Sequence, residues 1–138
     1  MPEILCTPIG FVSSPFKERG DAPRQGKLTD EISLITLKEE YLPATLGLDE
    51  EKDIFVLCWF DRSERDILQT HPAGDDTKPL KGVFANRSPH RPNPIALTLA
   101  EVIRIEENRI TVRGLEALDG TPVLDIKPFR AEFDTPNR

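Results

Sequence analysis

Thirteen prolines and eight glycines cut this 138-residue chain into short apolar runs with extended-chain spacing, which leaves no room for long helical stripes. Apolar residues at every second position give a strand one buried face, so a chain of such runs folds mainly as β. The expected strands are Ile4 to Ser13, Glu31 to Leu37, Asp53 to Phe60, Lys81 to Ala85, Ile95 to Ile105, Arg109 to Leu115 and Val123 to Ile126. Seven short strands separated by turn residues suit a barrel or a sandwich. The expected architecture is a single-domain β-barrel over residues 1–138, with short helical segments and long loops. Asp53 to Phe60 is almost continuously apolar, so both of its faces are expected to be covered. Glu106-Glu107-Asn108 reads as a hairpin loop, which makes the runs on either side antiparallel neighbours. Lys38 to Leu48 has helical content, but Pro43 limits any regular helix there to a short piece. The tail Thr135 to Arg138 is expected to fray.

The length is that of one ordinary domain. Cys6 and Cys58 are the only cysteines, they lie in or beside apolar runs, and no Cys/His cluster has metal-ligand spacing. They read as reduced thiols of a cytoplasmic protein that holds no metal. No run approaches the ~20 apolar residues of a membrane span, and no basic stretch leads into an apolar one at the N-terminus.

Residues 81–98 concentrate the chemistry. Pro89, Pro92 and Pro94 fix their own φ and push Ser88, Arg91 and Asn93 toward extended geometry, so the bend is stiff. Arg87, His90 and Arg91 project from it as donors for phosphate or carboxylate. From Thr77 to Ala100 the chain carries Lys78, Lys81, Arg87 and Arg91 and no acid, although the whole chain has 18 basic and 24 acidic residues and a net charge of −6. Such a chain is no bulk polyanion binder, yet one basic segment on an acidic body can select and orient an anionic ligand. A solvated loop whose arginines pair with surface acids is the plainer alternative.

Three other segments carry possible chemistry. Asp21 to Gly26 offers Arg24, Gln25 and a glycine that lets backbone approach a ligand. Trp59 and Phe60 run into Asp61, Arg62 and Arg65 at a strand end, where aromatics can wall a pocket for a flat cation or base, or simply join the core. Asp119-Gly120-Thr121-Pro122 is turn chemistry, and Asp125 with Lys127 places an acid and a base on one strand face. No Gly-x-Ser-x-Gly elbow, Gly-x-x-x-x-Gly-Lys loop or Gly-x-Gly-x-x-Gly turn occurs, and two lone histidines, His71 and His90, make no metal site.

Taken in order, Pro8-Ile9-Gly10, Ser14-Pro15-Phe16, Pro23-Arg24-Gln25-Gly26, Trp59-Phe60-Asp61-Arg62-Ser63, Gly82 through Pro89, Arg91-Pro92-Asn93-Pro94-Ile95 and Asp119 through Pro128 resemble the TsaA-like, or tRNA methyltransferase O, family. The central Arg-Ser-Pro-x-Arg-Pro-Asn-Pro-Ile string carries the most specificity. The resemblance implies a β-barrel that binds S-adenosyl-L-methionine without a Rossmann fold, as a homodimer with sites near the subunit contact. Carried across by motif, the cofactor contacts are Pro23, Arg24, Gln25, Asp61, Arg62, Arg87, Leu97, Ala117, Leu118, Asp119, Gly120 and Thr121. Many relatives have histidine where this chain has Asp61, and glycine is commoner where it has Ala96.

The activity so implied is methyl transfer to N6 of threonylcarbamoyladenosine beside the anticodon of a tRNA. Chemistry then suggests Asn93 and Arg91 as catalytic groups and Lys78, Lys81, His90 and Arg91 as contacts to the tRNA anticodon loop. A non-enzymatic S-adenosylmethionine sensor is the alternative, and a barrel that uses its loop only for protein contacts is a third. Convergence of Lys78, Lys81, Arg87 and Arg91 on one site separates the first from the second.

Overall fold

The computed structural model describes residues 2–17 and 30–138. Six strands close a barrel: β1 (Gly10–Ser13), β2 (Ile32–Leu37), β3 (Asp53–Trp59), β6 (Ile95–Glu106), β7 (Arg109–Arg113) and β8 (Pro122–Pro128). Around the barrel the order is β1, β2, β7, β6, β3, β8 and back to β1, with every neighbour antiparallel. Closure pairs every strand on both sides, so the barrel has no open edge. The short ribbon of β4 (Gln69–Thr70) and β5 (Lys81–Gly82) is inserted between β3 and β6. Lys81 to Ala85, expected as one strand, divides into this β5 and a 3-10 turn over Val83–Ala85.

Alternation sets which side chains fill the barrel. Val12 of β1, Ile35 and Leu37 of β2, Ile54, Val56 and Cys58 of β3, Ala100 of β6, Ile110 and Val112 of β7 and Val123 of β8 make one buried cluster, joined by Leu115 and Ala117 from the segment before β8. Gly10 is there for space: a Cβ on it would lie 2.3 Å from the Thr36 carbonyl oxygen across the β1–β2 pair. The expected hairpin loop at Glu106 to Asn108 joins β6 to β7, with Glu107 at φ 55 and Asn108 Nδ2 donating to the Leu37 carbonyl at 2.8 Å.

Several expectations need correcting. The run Ile4 to Ser13 pairs only from Gly10 onward, and Ile4 and Leu5 are exposed. β3 is fully buried on one face only, since Phe55, Leu57 and Trp59 point outward and are only partly covered, Phe55 by Phe129 and Trp59 by Arg65. A continuous apolar run is compatible with a buried parallel strand, but here it belongs to a barrel strand whose outer face has no helix laid over it. Lys38 to Leu48 forms the 3-10 turn Glu39–Thr45 with Pro43 inside it, not an α-helix. Asp125 and Lys127 pair with each other at 3.1 Å on the barrel exterior and build no site.

Candidate functional site

The C-terminal ends of β1 and β3 and the N-terminal ends of β6 and β8 lie at the same end of the barrel, because these neighbours run antiparallel. Four irregular segments meet there, and hydrogen bonds from side chains and backbone tie them together. Ser14 is buried beyond β1, and its Oγ donates to the Ala117 carbonyl at 2.8 Å while accepting from the Phe16 N–H at 3.1 Å. The Ser14 N–H donates to Asp119 Oδ1 at 2.9 Å, and the Asp119 N–H donates to the Phe16 carbonyl at 2.6 Å. Gly120 at φ 87 turns the chain into β8, a conformation that glycine adopts freely. The Ser14-Pro15-Phe16 turn is thus a clamp on the turn at 117–121. Bonding from the Ser14 N–H, then from Lys17, holds the Asp119 carboxyl below its usual range.

Arg62, just past β3, ties the same region together by donating to the carbonyls of Lys17 at 2.8 Å and Asp119 at 3.1 Å. Arg65 stacks over Trp59 with its guanidinium carbon 5.1 Å from the ring centroid, and it donates to the Pro92 carbonyl at 2.6 Å and to Asn93 Oδ1 at 2.9 Å. The proline-rich bend is therefore pinned to the exit of β3.

Arg91 braces the bend from within. Its terminal nitrogens donate to the carbonyls of Val83 at 2.7 Å, Ser88 at 2.9 Å and Asn86 at 3.3 Å. A guanidinium engaged with three carbonyls holds backbone, and Arg91 also lines the smaller of the two cavities described below. Asn93 is exposed, has its side-chain oxygen occupied by Arg65 and lies on neither cavity described below, so it is not brought together with the other expected site residues. Lys78 and Lys81 line neither cavity either, because the β4–β5 ribbon carries them outside the site. Pro23, Arg24 and Gln25 lie outside the described residues.

The enclosed space is a cavity of about 620 Å³. The exit of β3 (Phe60 to Ser63), the segment after β4 (Thr70 to Gly74), the bend (Asn86 to His90) and Glu116, Ala117, Leu118 and Thr121 line it. A smaller cavity of about 210 Å³ runs along the start of β6 and includes Leu97. Phe60, Arg87, Ser88, Pro89 and Glu116 belong to both. Of the expected contact residues, Asp61, Arg62, Arg87, His90, Ala117, Leu118 and Thr121 come together in the larger cavity and Arg91 and Leu97 in the smaller, while Asp119 and Gly120 shape the turn behind it.

Two side chains were passed over as individual candidates. Glu116 sits between buried Leu115 and Ala117, so its side chain faces the opposite way from the core and into the site. Burial pushes its carboxyl up to about 8, although the Arg87 charge works against this. Its signal in the sequence was a lone acid between two apolar residues. His71 Nδ1 lies 2.9 Å from the Lys78 carbonyl, which can only accept, so Nδ1 carries the proton and Nε2 is the acceptor. His90 has the opposite tautomer, since its Nδ1 accepts from the Glu64 N–H at 3.0 Å.

The arrangement defines a closed antiparallel barrel with a ligand-sized, mostly apolar cavity at its end, lined by two arginines and two carboxyl groups. The chain belongs to the TsaA-like, tRNA-methyltransferase O family, whose N-terminal domain matches residues 11–135. A protein of Archaeoglobus fulgidus named S-adenosyl-L-methionine-binding protein is 44% identical over 135 residues, spanning 98% of this chain and 96% of that relative. A mouse tRNA (adenine(37)-N6)-methyltransferase is 32% identical over 139 residues, which is 96% of this chain and 32% of the mouse protein. The crystal structure of TrmO from Pseudomonas aeruginosa matches with a TM-score of 0.81 at 29% identity, over 99% of this chain and 60% of that one. The chain thus spans nearly all of the archaeal relative but only part of the mouse and bacterial ones.

Proposed function

We propose that this chain binds S-adenosyl-L-methionine in the larger cavity and transfers its methyl group to N6 of threonylcarbamoyladenosine beside the anticodon of a tRNA. The observation that carries the reading is the joint lining of one cavity by Phe60, Asp61, Arg87, Glu116 and Leu118, drawn from three segments far apart in sequence. The donor set fits the cofactor. Arg87 suits a carboxylate, Asp61 and Glu116 suit cationic centres, and Phe60 and Leu118 suit the faces of an adenine. The cofactor, when bound, supplies an electrophilic methyl group. What the chain supplies is position and exclusion of water: the proline-stiffened bend and the clamped turn at 117–121 hold the walls in place before any ligand arrives. His71 and His90 line the same cavity from two segments, and these rings are the groups we propose to meet a nucleobase splayed from a single-stranded loop.

We further propose that the active form is a homodimer. Outward-facing Ile95, Leu97 and Leu99 of β6 lie beside Phe55, Leu57 and Trp59 of β3, making a contiguous apolar face in which the three β6 residues are each about 45% exposed. Leu97 and Ile95 also line the smaller cavity, so a second copy seated there would close the site.

A non-enzymatic S-adenosylmethionine-binding role is the second reading. It is favoured by one observation: Lys78 and Lys81 lie away from the cavity and Arg91 is committed to the bend, so the four cations do not converge. Calorimetric titration with S-adenosylmethionine, followed by radiolabelled methyl transfer to tRNA with and without threonylcarbamoyladenosine, decides between them. Binding with transfer only to the modified tRNA is the expected result. Binding without transfer to either supports the second reading, and no binding overturns both.

A further inference from the structure

Glu116 has a position that the lining of the site does not require. It is the one acid on the wall shared by the two cavities, half-buried beside Phe60 and Arg87, and its carboxyl has no hydrogen bond or ion pair among the described residues. A half-buried carboxylate without bonding partners is costly, and proteins keep such a group neutral or supply a cation to it. The charged and titratable groups around it are Asp61 and Arg62 from the β3 exit, His71 from the segment after β4, and Arg87, His90 and Arg91 from the bend. Of these only Arg87 acts on it appreciably, and the neutral form still prevails near neutral pH. Among the described residues no cation completes its pairing, and the positive charge it lacks there is one that a cationic ligand can bring.

We infer that Glu116 is the specificity residue for the positive sulfur of the methyl donor, ionising when the sulfonium enters and becoming neutral again when the sulfur is a thioether. This rests on the proposed binding of S-adenosylmethionine. The proton count is simple: a neutral Glu116 carboxyl and a cationic ligand give a carboxylate–cation pair and one proton released to solvent. S-adenosylhomocysteine, the demethylated form, has the same carboxylate, ammonium and adenine but an uncharged sulfur, so it should release no proton and bind more weakly. Asp61 is the competing anion, but it is exposed on the rim, where water screens its charge, whereas the partial burial of Glu116 strengthens its pairing. The device would hold the donor before transfer and loosen its grip on the spent form afterwards.

The test is isothermal titration of the whole chain and of Glu116→Gln with S-adenosylmethionine and with S-adenosylhomocysteine. Each titration is repeated below and above pH 8 in buffers of different ionisation enthalpy, so that proton release is counted directly. The wild type should prefer S-adenosylmethionine by at least about tenfold, a difference of ~1.4 kcal/mol, and should release close to one proton below pH 8 and almost none well above it. Glu116→Gln, with its thermal melt confirming a folded chain, should lose the preference and the proton release together. Glu116→Asp should retain a reduced share of both, as a shorter carboxylate would. A Glu116→Gln variant that keeps the preference and the proton release overturns the inference and leaves the proposed function standing. Equal weakening toward both ligands assigns Glu116 to the ammonium and overturns the sulfonium role. Failure of the wild type to bind either ligand overturns the inference together with the function on which it rests.

Discussion

At the scale of single residues, the site depends on where a charged group loses its water. Glu116 lies one residue from core positions on either side, and its carboxyl is raised from 4.5 to about 8 by burial. The folded state thus keeps a proton that the unfolded chain gives up, so this contribution to stability is full below about 4.5 and is lost as pH rises through about 8. The expected outcome is that the melting temperature of the ligand-free protein falls across that interval, and that Glu116→Gln flattens the fall. Circular-dichroism melts at closely spaced pH values measure both. Burial acts on Cys58 in the same direction and pushes its thiol up to about 12, while Cys6 is exposed. One thiol per chain should react with Ellman's reagent under native conditions and two after denaturation, and rapid native labelling of Cys58 would contradict the core assignment.

Elements here hold one another mainly through backbone carbonyls gripped by side chains. The bend after β5 has no ladder of its own and depends on Arg91 inside it and Arg65 outside it. Arg91→Ala leaves three carbonyls without their donor and should cost about 2–3 kcal/mol in urea unfolding. Arg91→Lys should recover only a small part, because one ammonium cannot span what a planar fork reaches. If Arg91 gripped substrate instead, either change would weaken tRNA affinity while leaving the urea midpoint where it was. The pinning also explains why a proline-rich stretch with an arginine every few residues is not a solvated loop: its cations are divided between bracing the chain and lining the cavity, with Arg87 in the second role.

For the whole molecule, closure of the barrel leaves an apolar exterior on β6 and β3, covered in part by Phe129 against Phe55 and Arg65 over Trp59 but exposed at Ile95, Leu97 and Leu99. Leu97→Asp places a charge in the middle of that face. It should shift the light-scattering mass from a dimer to a monomer and reduce cofactor affinity severalfold, since Leu97 also lines the smaller cavity. A wild type that is monomeric at all concentrations would instead make this face a feature of the barrel alone.

The strand pattern, the hairpin at Glu106 to Asn108 and the stiff bend were legible in the sequence because each rests on local rules: alternation, turn residues and the fixed φ of proline. The short motifs also singled out Asp61, Arg62, Arg87 and the turn at 117–121, which meet at one end of the barrel. What the sequence could not assign was the direction of each cation. Arg87 and Arg91 stand four residues apart in one string, yet Arg87 lines both cavities, while Arg91 reaches only the smaller and turns its terminal nitrogens onto three carbonyls. That division depends on the path of the bend after β5 and on which carbonyls its curvature leaves open. The desolvation of Glu116 is likewise a property of the space enclosed by Phe60, Arg87 and Leu118, which come from separate segments. Local chemistry determined which residues could act, and only the closing of the barrel, by setting which groups lose water and which face one another, decided which of them are placed to do so.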